Sequence, residues 1–344
     1  MLEPEASKGE QMKAAVFYGP KDMRLEERPL PRLRDDEVLI RVKAASICGT
    51  DLHIFNGDLA VKTPLVLGHD FSGVVEKTGK DVALFQMGDR VIAHIVRYCG
   101  ECLFCKRGRY NLCLQNTWMG FEIDGAFAEY VVAPARDTIP IPDEVLLEEA
   151  AITEPIVMAL RVMDFTQAKI GETMAIFGQG PIGLVQTQVA KLAGLYVVAI
   201  DPLEERLKLA RGFGADHVLN PRRKDVANAI FNLTDGIGVH CAVEDSGSQE
   251  AIDLAGEVTK PGGRILFVGE GRGLHGPMVQ HRERVFIEVL VDPWKYPLAL
   301  KLLAEKRVNV QSLITHEVQL DGIVNFFQDL SEGRRKAVKV LVKP

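Results

Sequence analysis

The chain has 344 residues and a formal net charge of -6, without the basic stripe that nucleic-acid binding needs. Hydrophobic residues are 47% and charged residues 26%, an ordinary globular balance, and no run approaches the ~18 consecutive apolar residues of a membrane span. That length is large for one core and points to two domains.

The start, Met1 to Gln11, is polar and carries Glu3, Glu5 and Glu10. It lacks the basic-then-apolar order of an export signal and is expected to be a short mobile leader. The expected location is therefore cytoplasmic, where thiols stay reduced and a disulfide framework is not expected. Up to Pro142 the chain reads as short strands, among them Val38–Val42, Phe71–Glu76 and Arg90–Ile95. Gly19-Pro20, Pro29 to Pro31 and Gly88-Asp89 punctuate them, the texture of a β-rich, barrel-like domain.

Four cysteines, Cys99, Cys102, Cys105 and Cys113, follow a C-x2-C-x2-C-x7-C pattern, and only Cys48 and Cys241 lie elsewhere. That spacing lets four thiolates converge on one tetrahedral Zn²⁺, and a closed four-sulfur site is structural rather than catalytic. The alternative, coincidental surface thiols, fits poorly with a cluster framed by Gly100 and Gly108.

After Pro142 the texture changes. Asp143 is placed to cap a helix from Glu144 through Ala150. From Thr173 onward, apolar strands alternate with helices: Met174–Phe177, Ile182–Ala193, Tyr196–Ile200, Glu204–Arg211, Val239–Val243 and Arg264–Val268. Such alternation means a parallel sheet covered on both faces, an α/β architecture. A late apolar strand at Val285–Val291 and a helix at Pro297–Glu305 follow, and the chain ends in strand-like Val338–Val342. A nucleotide domain is placed at 160–292, with 1–159 and 293–344 forming the other domain and a zinc lobe at about 95–116.

Gly178-Gln179-Gly180-Pro181-Ile182-Gly183 fits G-x-G-x-x-G between a strand and a helix, with Pro181 suited to the first helical turn. The glycines allow the tight turn, the approach of a pyrophosphate and close helix–strand packing, and the helix N-terminus offers free N–H groups. Asp201 ends the next strand; a carboxylate there accepts from ribose hydroxyls and repels a 2′-phosphate, favouring NAD over NADP, with Arg206 close enough to soften that preference. The competing reading is a glycine turn that binds no nucleotide.

Three further segments offer metal donors: Cys48-Gly49-Thr50-Asp51-Leu52-His53, Gly68-His69-Asp70 and Thr153-Glu154-Pro155. Cysteine, histidine and carboxylate together suit zinc with one position left open. Singly they mean little, since Cys48 could be a small buried hydrophobe, His53 a loop histidine and Asp70 a turn cap.

Taken together, Ile47 to Asp51, Gly68 to Gly73, the four-cysteine lobe, Thr153 to Pro155 and Gly178 to Gly183 make the chain resemble the zinc-containing medium-chain alcohol/polyol dehydrogenases, from Lys13 to the C-terminus. The resemblance implies a GroES-like β-rich catalytic domain plus a Rossmann domain, two Zn²⁺ per chain, NAD, and a homodimer or homotetramer. It makes Cys48 and His69 ligands of the catalytic zinc, with Glu154 or Asp70 supplying the carboxylate. The family usually shows Gly-His-Glu; Asp70 is one methylene shorter, so Glu154 is expected ahead of it.

The implied activity is reversible NAD-linked oxidation of a secondary alcohol, a polyol or diol, to a ketone. Thr50 is placed to take the hydroxyl proton first and His53 to pass it to solvent. Lys106 to Cys113, Val308 to Val310 and Thr315-His316 resemble the sorbitol/iditol branch; Cys48 to Asp51 with His53 is shared with the threonine dehydrogenase branch. Polyol enzymes often carry an arginine where this chain has Val291 to Lys295, which argues against a plain sorbitol assignment. The alternatives are therefore an L-threonine 3-dehydrogenase-like activity and, from another class, a redox-silent NAD-binding protein of the same fold. Trp118, Phe121 and Trp294 are candidates for the substrate cleft, whereas Cys241, His217, His240, His275, His281 and His316 have no supporting spacing.

Overall fold

The computed structural model describes residues 10–269 and 283–344. The leader reading of residues 1–9, and His275 and His281, lie outside the described residues. The chain divides into two compact units. One takes the described chain up to Thr153, with Tyr296–Ala304 and Val310–Pro344; the other takes Glu154–Lys295 and Glu305–Asn309.

The first unit is built on a strand, Glu37–Ile47, buried along most of its length. Its sequence EVLIRVKAASI supplies the β-branched and apolar residues that fit a sheet covered on both faces. It pairs antiparallel with Asp70–Thr78, in a register that sets Ser46 opposite Asp70. It also pairs antiparallel with the C-terminal strand Lys339–Lys343, through Val340 opposite Ile47. Register alone therefore gathers Cys48, His69 and Lys339 at one end of the sheet, because each sits just beyond or beside these paired positions. The helix Gly49–Asn56 starts at that end, with Cys48 as its N-cap. Phe55, Phe127 and Phe327 fill the core beneath it, with ring centroids 5.4 Å (Phe55–Phe327) and 5.8 Å (Phe127–Phe327) apart.

The expected helix from Glu144 is shorter than the sequence indicates and covers Leu147–Ala150. Val145 N–H donates to Pro142 O at 3.1 Å, which keeps Asp143 and Glu144 in a turn. The Glu149 carboxylate instead accepts from Leu146 N–H at 3.1 Å and fixes the start. A second helix follows at Thr153–Thr166, which the sequence reading did not assign. Pro155 falls in its first turn, where a missing N–H costs no helix bond.

The second unit holds a six-stranded parallel sheet among the described residues. Its spatial order is His217–Leu219, Tyr196–Ile200, Thr173–Phe177, Val239–Glu244, Thr259–Phe267, Val285–Glu288. The first strand in sequence, Thr173–Phe177, thus lies between the second and the fourth. That is the doubly wound order, and the crevice where the strand order reverses is where such sheets bind dinucleotides. Helix Pro181–Leu192 leaves directly from this point. Among the described residues, no helix is long and apolar enough to cross a membrane.

Lys339 is 1% exposed, and its Nζ donates to Asp70 Oδ2 at 2.9 Å, with the Asp70 side chain fully buried. Ser46 Oγ donates to the same oxygen at 3.3 Å. Breaking a buried pair by removing one partner leaves a bare charge. Lys339→Met should therefore lower the urea unfolding free energy by about 3–5 kcal/mol. A loss under about 1 kcal/mol would mean that the pair behaves like a surface bridge.

Candidate metal centres and dinucleotide cradle

Cys48, His69 and Asp70 bring one donor atom each to within 4.8 Å of one another. The helix start holds this arrangement. Asp51, fully buried, accepts from Cys48 N–H at 2.8 Å through Oδ2 and from Gly68 N–H at 3.2 Å through Oδ1. The same Oδ1 lies 3.6 Å from His69 Nδ1, while His69 Nε2 is on the Asp70 side at 3.9 Å. Burial opposes charge on the His69 imidazole, but the Asp51 and Asp70 carboxylates outweigh it and hold it well above its usual range. Asp70 Oδ1 is buried with no hydrogen-bond partner among the described residues. A soft thiol, an imidazole and an orphaned carboxylate oxygen fit a divalent cation such as zinc, and a carboxylate behind the imidazole is the usual orienting partner.

Asp70, ranked second from sequence, is the carboxylate found with Cys48 and His69. Glu154 opens the other unit, in the first turn of Thr153–Thr166. Thr50 Oγ1 lies 3.7 Å from Cys48 Sγ. His53, one helical turn further on, is 41% exposed, with Nδ1 3.3 Å from Asp58 Oδ2. Phe121 packs against the His69 ring at 5.4 Å, and Trp118 packs edge-on against Phe121 at 6.4 Å. Trp294 is 60% exposed in the second unit.

The four lobe cysteines also converge to within 4.8 Å, and all are free thiols. Cys113 and Cys99 sulfurs are 3.5 Å apart, and those of Cys99 and Cys105 are 3.9 Å apart. Left-handed turns at Gly100 and Gly108 let the backbone fold round them. Backbone N–H groups of Cys105 and Leu114 bring the Cys102 thiol down to about 6, whereas burial pushes Cys105 up to about 12. Four sulfurs facing one point fit a closed zinc site and leave no open position.

In the second unit, Gly178 has φ +94°, and a Cβ on it would meet Ser246 N at 2.9 Å. A Cβ on Gly183 would fall 1.9 Å from Gly178 O, so only glycine fits there. Gly180 caps the helix, with open space above it, and Pro181 and Ile182 form the half-buried first turn. Asp201 accepts from Gln179 N–H and Leu203 N–H, each at 2.8 Å and on separate oxygens. Each oxygen keeps a second acceptor site. Arg206 Nη1 is 3.7 Å from Asp201 Oδ2. A cavity of about 450 Å³ runs along Gly178, Gly180, Asp201 and Arg206. A glycine turn at a helix N-terminus, with a carboxylate at the end of the next strand, fits a dinucleotide.

Three residues here escaped the sequence reading. Asp51 could have been found from its place three residues after the helix cap. Lys339 could have been found as a charge between apolar residues of one strand. Asp245, which also lines the cavity, had only its position after an apolar strand to mark it.

The description "Alcohol dehydrogenase GroES-like domain" matches residues 34–143, and "Zinc-binding dehydrogenase" matches residues 181–324. The chain is 32% identical to the sorbitol dehydrogenase of Bacillus subtilis over 345 residues, covering 97% of this chain and 98% of that one. It is 40% identical to the L-threonine 3-dehydrogenase of Bacillus velezensis over 329 residues, covering 90% and 92%. It is also similar to the crystal structure of 2R,3R-butanediol dehydrogenase from Bacillus subtilis, with a TM-score of 0.87 and 30% identity over 97% of this chain and 99% of that one. The chain therefore belongs to the zinc-containing medium-chain alcohol/polyol dehydrogenases, and is a zinc-dependent, NAD-linked enzyme with a GroES-like domain and a Rossmann-type domain.

Proposed function

We propose that this enzyme oxidises a secondary alcohol of a polyol or vicinal diol to the ketone, with one catalytic and one structural zinc per chain. The observation that carries the reading is the set Cys48, His69 and Asp70, with Asp51 fixed behind the imidazole. When bound, zinc supplies Lewis-acid stabilisation of an alkoxide, and the nicotinamide accepts hydride. Cys48 and His69 hold the cation, with a carboxylate from Asp70 or Glu154. Thr50, beside the Cys48 sulfur, accepts the substrate's hydroxyl proton and hands it on to His53. His53 is exposed enough to release that proton to water, and Asp58 steadies its ring. Phe121 and Trp118 form an apolar wall on the His69 side that excludes water from the reacting hydroxyl. Gly178, Gly180, Pro181, Ile182 and Gly183 receive the dinucleotide's diphosphate, and the free acceptor sites of Asp201 favour the 2′-hydroxyl of NAD.

A second reading is supported by the 40% identity to an L-threonine 3-dehydrogenase: the alcohol oxidised is then the side chain of an amino acid. A panel of polyols, vicinal diols and L-threonine, followed by NADH absorbance, separates the two. Turnover of L-threonine alone would sink the polyol assignment. Among the described residues the strand Val285–Glu288 ends its sheet, with Val285 39% and Phe286 44% exposed, which supports a homodimer or homotetramer through that edge. A monomer in light scattering at micromolar concentration would count against this.

Cys48→Ala should halve the zinc content and lower turnover by about a thousandfold, the scale of several kcal/mol of alkoxide stabilisation. Full metal content with full activity would remove the catalytic site from this position. Asp70→Asn and Glu154→Gln, compared by metal content, identify the carboxylate. His53→Gln should slow turnover by about a hundredfold near neutral pH, with recovery at alkaline pH where hydroxide takes the proton. A pH–rate profile parallel to that of the unmodified enzyme would exclude His53 from the relay.

A further inference from the structure

A fully buried acid stands behind one wall of the nucleotide cavity. Glu244 closes the strand Val239–Glu244 at the carboxyl edge of the parallel sheet. Its backbone is held on both flanks. It lies in register with Phe177 on one side and Phe267 on the other, and its carbonyl accepts from Val268 and Gly269 N–H, both at 2.9 Å. Its side chain turns back onto the residues that follow. Oε1 accepts from Ser246 N–H at 2.8 Å, from the Ser246 hydroxyl and from Gly247 N–H at 3.1 Å; Oε2 lies 3.2 Å from the same Gly247 nitrogen. Gly247 takes a left-handed φ of +67° in this turn. Two further glycines close on it. A Cβ on Gly178 would meet Ser246 N at 2.9 Å, and one on Gly269 would meet Gly247 N at 2.4 Å and Glu244 Oε2 at 2.8 Å. Ser246, by contrast, is exposed and lines the cavity with Gly178, Gly180 and Asp201.

We propose that Glu244 is a positioning residue for the dinucleotide: its carboxylate holds the Ser246–Gly247 turn in the shape that walls the cofactor cavity beside the glycine turn. The inference rests on the nucleotide reading of this cavity, and it does not require Glu244 to touch the cofactor. A carboxylate out of water is costly unless hydrogen bonds satisfy it. Three donors from two successive residues reach Glu244, so this shape of the turn satisfies it and an extended one would not. Without the carboxylate, the freed N–H groups can turn to solvent, because Ser246 is at the surface, and Gly247 loses what keeps it left-handed. A wall already in place leaves less to order when the dinucleotide arrives. Ordering one residue's backbone at binding is worth about tenfold in affinity. Ser246 stands against Gly178, the diphosphate end of the cavity, so the contacts at stake are those of the adenosine diphosphate half.

The test is ligand binding by the zinc-loaded protein, read by fluorescence for NADH and by calorimetry for ADP-ribose, which lacks the nicotinamide. Glu244→Met matches the length of glutamate without its acceptors; it should bind both ligands about tenfold more weakly, with zinc content unchanged. Glu244→Gln keeps an acceptor oxygen at the same reach and should bind both within about threefold of the unmodified protein. Hydrogen exchange of the unmodified, cofactor-free protein gives a reading that needs no variant. Its Ser246 and Gly247 N–H groups should be protected despite the exposure of Ser246, and in Glu244→Met they should exchange about tenfold faster. Unchanged NADH affinity in Glu244→Met, an equal loss in Glu244→Gln, a loss for NADH without one for ADP-ribose, or unprotected Ser246 and Gly247 N–H groups in the unmodified protein would each overturn the proposal. Failure of the unmodified protein to bind NADH would sink the nucleotide reading and the proposal with it, an outcome distinct from the other four.

Discussion

One buried carboxylate joins the two stretches of chain that carry the candidate metal donors. Asp51 binds the backbone N–H of Cys48 on one side and of Gly68 on the other, and faces the His69 ring. The two hydrogen bonds fix where the helix after Cys48 begins and where the strand after His69 starts, and the carboxylate lies 3.6 Å from His69 Nδ1, which has no hydrogen-bond partner among the described residues. A carboxylate with no solvent contact holds these donors more firmly than it would in water, because competition from water is removed. The thiol and the imidazole then need only short side chains to meet.

The two cysteine-bearing centres illustrate opposite uses of the same chemistry. In the lobe, four sulfurs close round a point, and the turns at Gly100 and Gly108 take up the backbone strain that closure needs. Nothing is left for a reactant. At Cys48, one sulfur shares its surroundings with an imidazole and a short acid, and Asp70 keeps one oxygen for Lys339 and Ser46 while the other has no hydrogen-bond partner among the described residues. Asp70 is thus a short acid pinned by a buried lysine. Its physical consequence is that the Lys339 charge and any charge at the candidate metal centre are coupled through one carboxylate.

The second unit depends on steric exclusion more than on charge. Gly183 cannot gain a single carbon without striking Gly178 O, and Gly178 is held against Ser246 in a left-handed conformation. This packing draws the strand, the helix and the residues after Val239–Glu244 to one place. Asp201 and Asp245 then occupy two stations along one cavity: the first is satisfied by backbone N–H groups, the second has no partner among the described residues.

Much of this was legible in the chain before any coordinates. The C-x2-C-x2-C-x7-C spacing, the G-x-G-x-x-G turn between strand and helix, and the alternation after Thr173 are local signals, because each depends on residues close in sequence. For the same reason Thr173–Phe177, Pro181–Leu192, Tyr196–Ile200, Glu204–Gly212 and Val239–Glu244 were found near their true bounds, whereas His217–Leu219, Val226–Leu233 and Gln249–Val258 were not assigned, the strand expected at Arg264–Val268 begins at Thr259, and the one expected at Val285–Val291 ends at Glu288. The helix expected at Glu144 shifted because a cap three residues later, at Leu146 and Glu149, competed successfully with Asp143. Long-range partners were invisible: that Lys339 would reach Asp70, that Asp51 would bridge to Gly68, and that Asp245 would be left without a partner all depend on strand register. The sequence by itself determined which chemical groups this protein owns and which local turns they sit on. Tertiary structure alone decided which of them share a dielectric and a distance of a few ångströms, since pairing between strands far apart in the chain is chosen by the packing of the whole sheet.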